Sequence, residues 1–132
     1  MAEGNGYLLG MEPAEVQRLE QQHEVWRSLT ECAWELAGFG AGQTIVDLGS
    51  GPGFTSRDLA CLVKESGHVV AVDSSTIATD YLRSIVKKKG MANLEVITAD
   101  VADVDLWAWE PDGVFARWLF CYLVSERKPG FL

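Results

Sequence analysis

The chain has 132 residues, a formal net charge of -8 at pH 7, 48% hydrophobic and 23% charged residues. That length and balance suit one globular domain with its own core. The acidic excess argues against binding nucleic acid by phosphate neutralisation and against docking on an anionic membrane.

Residues 1–11 are glycine-rich and read as an arm lying over the domain. Residues 13–37 read as a helix, with a break near Thr30: Pro13 suits a first helical position, and Gly38 and Gly40 end the run. Its expected apolar stripe is Val16, Leu19, Trp26, Leu29, Ala33 and Leu36. A first strand is expected at about 44–48. A second helix follows over roughly 55–66, with Thr55 or Ser56 as N-cap and Gly67 past its end. A second strand follows at about 68–73. Ser74 or Ser75 then caps a helix carrying Ile77, Tyr81, Leu82, Ile85 and Val86. Lys87, Lys88 and Lys89 sit in its last turn, where cations complement the helix dipole, and Gly90 closes it. A third strand is placed at about 94–98, and a loop or one short helical turn over 100–112. Pro111-Asp112-Gly113 signals a turn before a fourth strand at about 113–118.

The strongest local signal is Asp47-Leu48-Gly49-Ser50-Gly51-Pro52-Gly53 after the β-branched run Thr44-Ile45-Val46. Alternating glycines let the backbone approach a ligand with no Cβ in the way, and the next helix aims its free N–H groups at the same place. Two nucleotide-binding patterns fail here. The dinucleotide fingerprint G-x-G-x-x-G would need glycine where Phe54 stands, and the phosphate loop needs a lysine that is absent. A carboxylate at the strand end favours a ligand carrying an ammonium or sulfonium group. Asp47, Asp73 and Asp100 recur 26 and 27 residues apart. That is a βα period, and it sets three carboxylates at the carboxyl ends of three strands, the edge where open α/β sheets bind ligands. Asp73 stands 20 residues after Gly53, the distance at which an acid takes ribose hydroxyls.

Cys32, Cys61 and Cys121 have no C-x-x-C spacing and read as buried thiols of a reducing, cytoplasmic compartment. His23 and His68 share no ligand spacing, so no metal is expected. No leader and no apolar run of about 18 residues stands out, so no secretory or membrane-spanning segment is expected.

The D-x-G-x-G-x-G pattern resembles the first motif of the class I S-adenosylmethionine-dependent methyltransferases. From about Tyr7 to Tyr122 the chain is similar to the small-molecule enzymes of the ubiquinone and menaquinone biosynthesis type. Tyr7-Leu8-Leu9-Gly10 and Arg18-Leu19 through Gln22 to Trp26 match a familiar N-terminal pattern of that group. The resemblance implies a Rossmann-like α/β parallel sheet, with residues 1–40 covering the cofactor site and 41–132 binding S-adenosylmethionine, or S-adenosylhomocysteine as product. It further implies that Tyr7 and Gln22 close over the methionine end; against this, Tyr7 reads equally as a packing residue and Gln22 as exposed. Gly49, Ser50, Gly51 and Gly53 would form the turn beneath the cofactor. Asp47 would favour its ammonium, Asp73 with Ser74 its ribose, and Asp100 with the Val101 N–H its adenine, with Asp103 as a rival. Arg117 would line the cofactor and substrate pocket, against the alternative of a surface ion pair. No general base can be named. His23 is the one candidate, and a histidine on that helix is more simply solvated.

The family's seven strands run 3-2-1-4-5-7-6, and only 3-2-1-4 are found here. The expectation is therefore a domain truncated after its fourth strand, with an open edge: a fragment, a chain that dimerises through that edge, or a cofactor-binding half that works with a partner. Two functions follow: a methyltransferase on a small molecule, completed by a partner or by further chain, or a non-catalytic cofactor-binding or dimerising module. A dinucleotide oxidoreductase is disfavoured by Phe54 and Asp47. The five tryptophans read as core and interface residues rather than as an aromatic pocket.

Overall fold

The computed structural model describes residues 11–117. Four short runs rich in β-branched residues form one parallel sheet: β1 (Thr44–Leu48), β2 (His68–Asp73), β3 (Leu94–Thr98) and β4 (Gly113–Ala116), in the order β3-β2-β1-β4. The expected topology of the four strands is what the chain adopts. Parallel strands need covered faces on both sides, and the alternation along β1 and β2 supplies them. Ile45, Val69 and Ala71 face one way with Leu59, Val63, Leu82 and Trp34. Val46, Leu48, Val70 and Val72 face the other way with Val101. Period-two alternation puts Asp47 on the side of Ile45, beneath the helices.

Helix α1 spans Pro13–Ala37, α2 Phe54–Val63 and α3 Thr76–Lys89. Helix α1 runs unbroken through Thr30 and stops where Gly38 takes φ +80°. Its buried residues are His23, Thr30 and Trp34, whereas Leu29 and Leu36 are 63% and 84% exposed. Of the expected apolar stripe, Val16 and Leu19 are half-buried, while Leu29, Ala33 and Leu36 face outward. Two of the three residues on the packed face are polar, and His23 and Thr30 find hydrogen-bond partners on α2 and after β4.

Helix α2 starts at Phe54 behind Gly53, not at a Thr55 or Ser56 cap. Both of those side chains are buried, and the Ser56 hydroxyl is drawn to Asp47 instead of to the helix end. The helix finishes at Val63 with Lys64 at φ +62°. Helix α3 follows expectation: the Ser75 hydroxyl accepts from the Ala78 N–H, the three lysines fill the last turn, and Gly90 closes it in the left-handed region.

The stretch expected as loop or one turn contains two 3₁₀ turns, Val101–Asp103 and Leu106–Trp109, capped by the Asp100 and Asp105 carboxylates. Cys32 and Cys61 are exposed rather than buried; Cys121 lies outside the described residues. Among the tryptophans, Trp34 is core, edge-on to Phe115 at 5.5 Å between centroids. Trp107 is 80% exposed, and Trp118 lies outside the described residues. Among the described residues no helix is long and apolar enough to cross a membrane, and no His, Cys, Asp and Glu cluster could hold a metal ion.

Candidate functional site

The carboxyl ends of β1 and β2 meet at one cavity of about 300 Å³. Its wall includes Asp47, Gly49, Ser50, Gly51 and Asp73 from the sheet edge and the loop after β1. Pro52 of the loop, Phe54 and Thr55 of α2, Leu19, Gln22 and His23 of α1, and Arg117 after β4 complete it. The loop is fixed by its own backbone: the Gly49 and Ser50 N–H groups both donate to the Val72 carbonyl, at 2.8 and 3.0 Å. Its glycines divide the labour. Gly51, at φ +55°, has nothing within 4 Å of where a Cβ would stand. Gly53, at φ +91°, would set a Cβ within 2.9 Å of three Leu82 side-chain carbons. Gly51 therefore leaves room at the cavity, while Gly53 lets α2 sit against α3 and does not line the cavity.

The Asp73 carboxylate ends β2 beside this loop. It accepts from the Gly51 N–H at 3.2 Å and from the Ser75 N–H at 3.0 Å. An ionised carboxylate offers about four lone-pair sites, so a pair of hydroxyls can still be taken. The Ser50 hydroxyl is buried and has no hydrogen-bond partner among the described residues, an arrangement a native fold rarely leaves without use.

Asp47 is 2% exposed and accepts a 2.6 Å hydrogen bond from the Ser56 hydroxyl. Burial pushes its carboxyl up to about 7, against the opposing pull of the Ser56 bond and the Arg117 charge, and with the help of the Asp73 charge. A cation in the cavity would favour its ionised form.

Arg117 is not a surface ion pair. It is half-buried, donating to the Thr30 hydroxyl at 2.9 Å and to His23 Nδ1 at 3.0 Å. Burial lowers its pKa, while the Asp47 and Asp58 charges act the other way. Nor is His23 solvated: it is 3% exposed, and its Nε2 lies 2.6 Å from Asp58 Oδ2. With both ring nitrogens engaged, His23 is poorly placed to act as a base.

Other expected positions fall elsewhere. Gln22 is exposed at the rim of the cavity. Ser74 is exposed and outside the cavity wall. Asp100 caps the 3₁₀ turn after β3 through the Ala102 N–H at 2.9 Å, and the Val101 side chain is buried in the second core layer; neither lines the cavity. Tyr7 lies outside the described residues. Sequence reasoning missed Asp58, Thr30 and Ser56. The available signal was the polar series His23, Arg27, Thr30 at helical spacing, closing on Trp34.

Residues 45–132 match the family described as "Methyltransferase domain". This chain belongs to the class I S-adenosylmethionine-dependent methyltransferases. Phosphoethanolamine N-methyltransferase 1 of Zea mays is 37% identical to this methyltransferase domain over 93 residues, 65% of this chain and 17% of that protein. The 23S rRNA (uracil(1939)-C(5))-methyltransferase RlmD of Psychrobacter arcticus is 36% identical over 75 residues, 57% of this chain and 15% of that protein. A solved S-adenosylmethionine-dependent methyltransferase from Aquifex aeolicus superposes with a TM-score of 0.59 at 30% identity, covering 65% of this chain and 46% of that one. The methyltransferase domain thus spans about a sixth of the two curated relatives' length. The cavity lies on the strand edge where α/β folds of this kind bind ligands.

Proposed function

We propose that the chain is the S-adenosylmethionine-binding part of a methyltransferase acting on a small molecule. The observation that carries this reading is the convergence on one cavity of an open glycine turn, a carboxylate with accepting capacity to spare, and a buried hydroxyl lacking a partner. Asp73 would accept the ribose hydroxyls as a charge-assisted pair. Gly49, Ser50 and Gly51 would let the backbone come close, with the Ser50 hydroxyl gaining its partner there. Asp47 would meet the ammonium, and Arg117 the carboxylate, of the methionine end. Beyond the cavity along the same strand edge, Asp100 and the Val101 N–H would take the adenine, and Gln22 with Tyr7 would close over the methionine end. Gly53 shapes the turn from behind.

When bound, S-adenosylmethionine supplies an electrophilic methyl group on its sulfonium. What the chain then has to do is orient, and exclude water from, an acceptor in line with that group. A small acceptor is supported by the net charge of -8, which repels a polyphosphate backbone. The maize relative is named for phosphoethanolamine, whereas the Psychrobacter relative is named for 23S rRNA, so both classes belong in the assay. Transfer of a labelled methyl group to small amines and phenols, with no transfer to RNA, is the expected result. Labelling of RNA alone would replace the small-molecule assignment.

The second reading is a non-catalytic binding or dimerising module. It is favoured by β4, which among the described residues pairs only with β1 and leaves Val114 43% exposed. A second copy pairing along that edge would appear as a dimer in sedimentation. A cytoplasmic location belongs to either reading.

A further inference from the structure

His23 and Arg117 are 94 residues apart in sequence, and His23 and Asp58 are 35 apart, yet the three form one hydrogen-bonded chain. Its protons can be placed by elimination. A guanidinium has donors and no acceptor, so His23 Nδ1 must be the acceptor from Arg117. The ring proton is then on Nε2 and is donated to Asp58. The same oxygen, Asp58 Oδ2, also meets the Arg27 guanidinium at 3.0 Å. The ring is also locked in plane by stacking on Phe54, with 5.9 Å between centroids and 21° between planes. The elements joined are α1, α2 and the chain after β4, and the joint stands in the cavity wall.

The Arg117 end is unusual. Both of its hydrogen-bond partners among the described residues, Thr30 and His23, are neutral acceptors. Among the described residues no carboxylate makes an ion pair with the guanidinium. Two anchors on α1 fix the plane of the fork and leave its other donors for the cavity. A planar, forked cation held this way matches a carboxylate, which it can meet with two parallel bonds.

We propose that His23 is a positioning residue for the cofactor's amino-acid end: oriented by Asp58, it fixes the Arg117 guanidinium in the cavity wall, ready for a carboxylate. The assignment rests on the cofactor reading above. It makes α1 part of the binding site through a relay rather than through contact with the ligand. It also explains why two of the three buried residues of α1 are polar. His23, Thr30 and Arg27 are there to set a charge, while Trp34 alone anchors the helix in the core.

The test compares two probes by calorimetric titration: S-adenosylhomocysteine, which carries the amino-acid end, and 5′-methylthioadenosine, which lacks it. His23→Phe keeps the ring and its stacking but removes both nitrogens. We expect it to weaken S-adenosylhomocysteine about tenfold, as for a lost hydrogen bond to a charged group, and to leave 5′-methylthioadenosine unchanged. Arg117→Ala should weaken the same probe at least as much. The His23→Phe, Arg117→Ala double variant should be no weaker than Arg117→Ala alone, because one group acts through the other. Asp58→Asn, a near-isosteric change, gives the same test if His23→Phe does not fold, with a smaller loss confined to S-adenosylhomocysteine. Equal losses for both probes would reduce His23 to a structural role and overturn the proposal, as would unchanged binding of S-adenosylhomocysteine or additive losses in the double variant. A folded wild-type chain that binds neither probe would overturn the cofactor reading itself, and the assignment with it.

Discussion

At the scale of single residues, Asp47 is where folding and binding pull in opposite directions. Its carboxyl is raised to about 7 in the folded chain from an ordinary 3.8, chiefly by burial. The folded state therefore holds a proton that the unfolded state gives up between those values. Stability should fall as pH rises from about 4 to about 7 and then level off. A shift of about three pKa units sets a ceiling of about 4 kcal/mol on the effect, and relaxation around the charge will reduce it. Asp47→Asn keeps an acceptor for Ser56 and removes the charge. Denaturant unfolding should find the variant more stable than wild type at pH 8, with the difference vanishing near pH 4; a gap independent of pH would contradict the burial argument. The same carboxylate gives a ligand ammonium its counter-charge. Binding of S-adenosylhomocysteine near pH 7 should then release a proton, detectable by calorimetry in buffers of different ionisation enthalpy, and Asp47→Asn should abolish the release.

At the scale of elements, the loop between β1 and α2 separates two uses of glycine that the sequence shows as one motif. Both Gly51 and Gly53 have positive φ, but only Gly53 has a side chain, Leu82, where a Cβ would go. Gly53→Ala should destabilise the fold by about 2–3 kcal/mol, combining backbone strain with overpacking. Gly51→Ala should cost only about 1 kcal/mol of stability while weakening S-adenosylhomocysteine severely, because its new methyl group occupies the ligand's approach. Thermal unfolding and titration of the two variants would show this crossover; loss of both properties in parallel would refute the division. At the other side of the cleft, Ser75 caps α3 and shares its backbone N–H with Asp73. Ser75→Ala should cost about 1 kcal/mol of stability through the lost cap and leave the Asp73 contact to the backbone intact.

At the scale of the whole molecule, much of the design was legible in the sequence and the rest depended on packing. The βα order follows from Asp47, Asp73 and Asp100 recurring at strand ends, and the glycine turn from three alternating glycines, since both are local and periodic. The packed face of α1 was not legible. Leu29 and Leu36 follow an apolar period and yet face outward, because the polar series through His23 and Thr30 is paired with groups far along the chain. Arg117 was read as a pocket residue or a surface ion pair, and only the fold shows it bonded to Thr30 and His23. The Asp47 environment was likewise hidden: strand alternation places it beneath α2, but Ser56 reaches it only because the helix begins at Phe54 and not one turn later. Asp100 shows the converse. Its place at a strand end was read correctly, while its bond to the Ala102 N–H follows from a 3₁₀ turn that sequence periodicity does not mark.

The central claim is that this cavity binds the cofactor of the methyltransferase family through the carboxylate at the end of β2. The most direct measurement is calorimetric titration of S-adenosylhomocysteine into the wild-type chain and into Asp73→Asn, with unfolding curves to show that both are folded. We expect saturable one-to-one binding by wild type and at least a tenfold loss in the variant, since an amide cannot take both ribose hydroxyls while serving the loop N–H groups. A folded wild-type chain without binding, or equal binding by the two, would contradict the account.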